Sequence, residues 1–80
     1  MVSRAAARAV LGLEADNRRR IRARIGGLAD NPRPPGCVKL SGAPERWRVR
    51  VGDYRVIYSV EDATLIVLVI EVGNRREVYR

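Results

Sequence analysis

Along the first third of the chain the apolar positions recur at helical spacing. Ala6, Val10 and Leu13 stand at i, i+4 and i+7, and Ser3 just ahead of them is a residue type whose hydroxyl caps a helix start. This segment is expected to end near Gly12 to Glu14. Asp16 or Asn17 then caps a second helix with the stripe Ile21, Ile25 and Leu28, its other faces carrying arginines. The two form a helical hairpin. Gly26 and Gly27 each cost about 1 kcal/mol relative to Ala inside a helix, so the second helix is expected to close near Ala29.

Beyond that point the period changes. Asn31, Pro32, Arg33, Pro34, Pro35 and Gly36 cannot continue a helix, because each proline removes an amide donor and biases its predecessor toward extended geometry. A short extended piece is expected around Val38 to Leu40. Trp47, Val49 and Val51 then alternate with Arg46, Arg48 and Arg50, a period of two that gives one apolar face and one face of guanidinium groups. Gly52-Asp53 is a tight-turn dipeptide leading to a strand over Tyr54 to Val60, and Glu61-Asp62 supplies a second turn before Thr64 to Val72. The last strand is apolar at almost every position from Leu65 to Ile70, which predicts cover on both faces and an interior position in a three-stranded meander, with a bend at Gly73. The fold class is therefore α+β, a helical hairpin packed on a twisted antiparallel β-sheet, and 80 residues allow one domain, 1–80.

Composition narrows the chemistry. Sixteen Lys and Arg against nine Asp and Glu leave a net charge of +7, which favours a polyanionic partner. With no His, imidazole is excluded as base, shuttle or ligand, and one Cys can close neither an internal disulfide nor a thiolate metal cage. Neither a metal nor a cofactor is expected. Thr64 to Val72, the longest nearly apolar run, has nine residues and falls far short of the roughly 20 that cross a bilayer. Arg4 and Arg8 interrupt the N-terminal alanines, unlike a secretory signal, so a cytoplasmic location with no membrane partner is expected.

Arg48 and Arg50 project from one strand face about 7 Å apart, and taken alone such a pair also fits an ordinary solvated face. Arg55, just after the hairpin turn, can lie beside them. Arg75 follows Gly73, and Tyr79 stands four residues further on, so four guanidiniums and a phenol would converge at one end of the sheet. Guanidinium is planar, permanently protonated and donates two parallel hydrogen bonds, which suits phosphate and the extra charge of a phosphorane. Tyr79 fits either base stacking and proton transfer or simple packing on the sheet. Arg18, Arg19, Arg20, Arg22 and Arg24 read as the solvated face of the second helix, and Trp47 as a residue packed under the helices. Cys37 reads as a small half-buried residue, and Asp53, Glu61 and Asp62 as turn residues.

The strings NPRPPGCVKLSG, WRVRVGDYRVIY and VIEVGNRREVY, in this order, resemble the signatures of the RelE/ParE toxin superfamily, especially its RelE-like mRNA interferase branch. The resemblance runs from about residue 3 to residue 80. It implies two helices against an antiparallel sheet and a toxin of a type II toxin-antitoxin system. It further implies a metal-independent endoribonuclease that enters the ribosomal A site and directs a ribose 2′-OH at the adjacent phosphate of mRNA, inhibiting translation. Carried over by position, Arg48 and Arg50 fall where such toxins hold basic residues, and Arg55 at the phosphate-binding arginine. Arg75 falls at the arginine assisting the leaving 5′-oxygen, and Tyr79 at the tyrosine that orients or stacks on substrate. The implied partners are a cognate antitoxin, mRNA and the ribosome.

Two departures from the family pattern set further expectations. The family's first strand is missing ahead of the first helix, which predicts an adhesive sheet edge and a low-stability protein, a homo-oligomer or a toxin-antitoxin hetero-oligomer. Arginine at 48 and 50 is a poor general base compared with lysine, leaving either Tyr79 as the remaining candidate or a slow cleavage that rests on electrostatics alone. Two other readings stand beside the nuclease. One is a ParE-like inhibitor of DNA gyrase that cuts no RNA, and the other is a truncated, inactive toxin that only binds its antitoxin.

Overall fold

The computed structural model describes residues 1–41, 46–63 and 66–74. Two helices, α1 (Arg4–Leu11) and α2 (Ala15–Asp30), cover one face of a four-stranded antiparallel sheet. Its strands are β1 (Val38–Leu40), β2 (Arg46–Val51), β3 (Tyr54–Glu61) and β4 (Ile66–Asn74), in the order β1-β2-β3-β4. The α+β expectation holds.

Ser3 caps α1 as expected, its hydroxyl accepting the Ala6 amide at 3.1 Å. The same hydroxyl donates to the Ile70 carbonyl at 2.7 Å, so one side chain fixes the helix start against β4. The start of α2 differs from expectation. Neither Asp16 nor Asn17 caps it; Glu14 occupies that position and makes no side-chain cap bond. The reason lies in the short link: Leu13 is drawn back onto the first helix by its amide bond to Val10 and packs against the core, so the helix restarts as soon as Glu14 can offer its carbonyl to Arg18. Asp16 instead sits in the first turn, where a carboxylate meets the positive end of the helix dipole, and pairs with Arg19 at 2.8 Å. Gly26 and Gly27 remain helical, and α2 runs to Asp30.

The core forms where the helical stripes meet the apolar face of the sheet. Ala6, Val10, Ile21 and Leu28 pack against Val49, Val56, Tyr58, Val69 and Val72, all buried. Leu13, Ile25, Trp47, Val51, Tyr54, Val60 and Val67 border this cluster.

The interior strands are β2 and β3, and β4 is the outer one in this order, which corrects the expectation of an interior last strand. Both faces of this outer strand carry apolar residues, Val67 and Val69 toward the helices and half-buried Leu68 on the other side. A bulge opposite Ile57 and Tyr58 pairs Ile57 with Glu71 but Tyr58 with Val69, so Ile70 is an extra residue and the alternation slips by one. Val67, Val69 and Val72 thereby all reach the helix side, while Ile66 stays exposed. Nor does Gly73 bend the chain, since Gly73 and Asn74 continue β4 opposite Arg55 and Tyr54. The outer edge of β4 is paired over part of its length by the first three residues, which run parallel to it with a bridge between Val2 and Val69. Met1 N donates to Val67 O (3.0 Å), Val69 N to Met1 O (2.9 Å) and Ser3 N to Val69 O (2.8 Å), satisfying groups that an open edge would leave unmade.

The proline-rich segment is strapped to the sheet. The Tyr58 hydroxyl donates to the Pro32 carbonyl at 2.7 Å, and the Arg33 guanidinium lies 5.1 Å from the centre of the Trp47 ring. Arg33 also makes a two-pronged bond to Asp62 at 3.0 and 2.9 Å, which holds that carboxyl below its ordinary value. Burial, together with the neighbouring Cys37 thiol, pushes the Tyr58 phenol up to about 12. The folded state therefore keeps this proton where an unfolded tyrosine, with a pKa of about 10, has lost it. Stability from this group is complete below pH ~10 and falls by about 1.4 kcal/mol per pH unit from there toward pH ~12. Urea unfolding of wild type and Tyr58→Phe at pH 8 and pH 11 checks this. Wild type is expected to lose about 1.4 kcal/mol more than the variant between the two, and an equal loss in both would contradict it.

Candidate nucleic-acid interface

Strand register decides which arginines share a surface. Residues 47, 49 and 51 of β2 point toward the helices, so Arg46, Arg48 and Arg50 occupy the opposite face. Pairing places Arg50 directly opposite Arg55, and Arg48 opposite Ile57, on that same face. Arg48, Arg50 and Arg55 thus stand together, with Arg48 half-buried and Arg50 exposed.

Arg55 is the unusual member. It is only 6% exposed, the one charged side chain among the buried residues described. Its neighbours across the sheet are Arg50 on β2 and Gly73 on β4, the latter presenting no side chain. Like charges directly across a strand pair oppose folding, and a bound anion turns that repulsion into attraction. Glu71 is exposed on the same face, opposite Ile57, where it limits the local positive charge.

Arg75 and Tyr79 fall outside the described residues, so the convergence expected of all five candidates is described here for 48, 50 and 55. Cys37 is half-buried beside Tyr58, and Trp47 is half-buried against the core beneath Arg33, as expected of each. Among the described residues no three acidic or thiol side chains gather in a way that could hold a metal ion. No helix among them is long and apolar enough to cross a membrane.

One basic feature escaped the sequence reading. Arg20 and Arg24 of α2, read as part of a solvated face, line an open cleft of about 500 Å3 with Ala23, Arg50, Val51 and Gly52. Gly52, at φ 59°, makes the two-residue turn between β2 and β3, and a Cβ there would lie 3.9 Å from an Arg20 guanidinium nitrogen. The available signal was spacing: Arg20 and Arg24 are four apart and each immediately precedes a residue of the apolar stripe, so they flank the buried side of the helix.

Comparisons with known proteins agree with this geometry. Against solved structures, the chain is 28% identical to a protein of an archaeal RelE-RelB complex from Pyrococcus horikoshii, with a TM-score of 0.82 over 92% of this chain and 90% of that one. It is 25% identical to the isolated RelE toxin of E. coli, with a TM-score of 0.77 over 91% and 79% of the two chains. A RelB-RelE complex from Methanococcus jannaschii, at 19% identity and a TM-score of 0.76 over 99% and 94%, shares the fold. No curated protein sequence matches. The family profile described as the ParE toxin of type II toxin-antitoxin systems matches residues 4–79, nearly the whole chain. The chain therefore belongs to the ParE toxin family, within the RelE/ParE superfamily, and is a toxin of a type II toxin-antitoxin system.

Proposed function

We propose that this toxin is a metal-independent endoribonuclease that cleaves mRNA on the ribosome and so blocks translation. The observation that carries the reading is Arg55, a buried guanidinium set directly opposite Arg50 on the sheet face away from the helices. In the reaction a ribose 2′-oxygen bonds to the adjacent phosphorus and the bond to the 5′-oxygen breaks, leaving a 2′,3′-cyclic phosphate and a 5′-hydroxyl. Arg55, with two parallel donors, grips the non-bridging oxygens and stabilises the added charge of the phosphorane. Arg48 and Arg50 hold the flanking backbone and add to the same field.

Arg75 and Tyr79 take their roles from the family resemblance. Arg75 donates a hydrogen bond that stabilises charge on the leaving 5′-oxygen, which takes its proton from water, and Tyr79 as phenolate removes the proton of the 2′-hydroxyl, because guanidinium at 48 and 50 holds its proton too firmly to serve as a base. A Tyr79→Phe variant is expected to lose roughly 10²–10⁴-fold in single-turnover cleavage and to lose the rise of rate with pH that deprotonation of the base produces. Full activity in that variant would remove the proton-transfer role.

The antitoxin partner is supported by the structural neighbours, several of which are RelE-RelB complexes. An acidic antitoxin segment over residues 48, 50 and 55 would neutralise the toxin by occupying the phosphate positions. Purified toxin incubated with programmed ribosomes tests the function. Discrete mRNA cuts ending in cyclic phosphate are expected. Intact mRNA together with inhibition of gyrase supercoiling would replace this reading with the other activity.

A further inference from the structure

The cleft between α2 and the β2–β3 turn is separate from the sheet face yet shares Arg50 with it. We propose that this cleft is a second phosphate subsite, in which Arg20 and Arg24 grip the polynucleotide backbone as it leaves the face that carries Arg48, Arg50 and Arg55. The ligand class rests on the reading of the toxin as an RNA-binding protein, but the subsite concerns binding and does not depend on cleavage.

Three observations support it. Arg20 and Arg24 stand one helical turn apart on α2 and both line the cleft with Arg50, so positive groups approach it from a helix and from a strand. No acid lies among the lining residues Arg20, Ala23, Arg24, Arg50, Val51 and Gly52, in contrast to Arg19 and Arg33, whose charges are answered by Asp16 and Asp62. The Arg24 Nε is buried without a hydrogen-bond partner among the described residues, so nothing described there answers this guanidinium. At the turn, the positive φ of Gly52 favours glycine, and the Arg20 guanidinium lies within van der Waals reach of this turn.

Continuity selects a polynucleotide over an isolated carboxylate. Arg48 and Arg50 share one face of β2, and Arg50 also lines the cleft with Arg20 and Arg24, so basic residues continue from the sheet face into the cleft, matching a ligand with charges repeated along a chain. Such a track orients the strand and adds affinity while reading no base.

The test measures binding of an uncleavable 2′-O-methyl RNA 12-mer to the full chain by fluorescence anisotropy across a salt series. The double variant R20Q/R24Q is expected to bind on the order of tenfold more weakly at low salt and to lower the log–log salt slope by roughly 0.7 for each phosphate released. R20K/R24K, which keeps both charges, is expected to retain most of the slope and guards against loss of fold. The charge-matched control R4Q/R8Q, on α1, is expected to change the slope little. Equal losses in the control and in R20Q/R24Q would reduce the cleft to diffuse charge and overturn the proposal. A poly-glutamate peptide of equal charge that binds as tightly as the RNA and loses affinity in R20Q/R24Q would overturn it too, by making the cleft a carboxylate site. RNA binding with the expected slopes in a toxin that cuts no mRNA would uphold the subsite while removing the nuclease.

Discussion

Replacing Arg55 with Ala is expected to slow mRNA cleavage on programmed ribosomes by roughly 10²–10³-fold, the usual cost of deleting one preorganised donor to a charged transition state. The expectation rests on burial. At 6% exposure Arg55 is held within the sheet between Arg50 and Gly73, so its donors are oriented before substrate arrives and little reorganisation is needed. Arg50 is exposed and more readily replaced by water, so Arg50→Ala is expected to cost less. Arg55→Lys keeps the charge but loses the planar fork, and is expected to fall between wild type and Arg55→Ala. Thermal melts of the same variants separate chemistry from folding. A melt displaced far more in Arg55→Ala than in Arg55→Lys would assign the residue a part in holding the sheet as well as the phosphate. Cleavage within threefold of wild type in Arg55→Ala would remove this residue from the phosphate site.

The second large effect concerns the fold that carries the site. Ile21 is fully buried where α2 meets the sheet, and Ile21→Ala is expected to cost about 2–5 kcal/mol through lost burial and the cavity left behind. A chain of 80 residues has a total stability of roughly 4–12 kcal/mol, so this one change removes a large fraction of it. Leu11→Ala provides the comparison, since Leu11 is 62% exposed at the end of α1 and its truncation is expected to cost within about 0.5 kcal/mol. Urea denaturation of both variants decides the matter. Similar midpoints would mean that α2 does not dock through Ile21 and that the core has been wrongly located.

The helices and the arginine-bearing strand were readable because each has a period that burial enforces. Ala6 and Val10, Ile21 and Leu28, and Val49 follow spacings that leave one face for the core, and all five are buried. The cap of α2 was less readable, since Glu14, Asp16 and Asn17 lie within one turn and the choice depends on how tightly Leu13 is held to α1. In β4 the reading of an interior strand failed. A run of apolar residues occurs on an outer strand whose two faces are both partly covered as well as on an interior one, and local composition cannot tell the two apart.

For the site, the chain itself determined a net charge of +7, the lack of any imidazole or thiolate cage in this sequence, and that 48 and 50 share a face. Its short motifs carried the family likeness. The tertiary structure alone decided that Arg55 is buried and opposed by Arg50, that the first three residues pair with β4, and that Arg20 and Arg24 meet Arg50 across the hairpin turn. The physical reason is range. Periodicity reports which side of its own element a residue occupies, whereas strand register and helix docking bring together residues 30 positions apart, and those are set by packing the whole core at once.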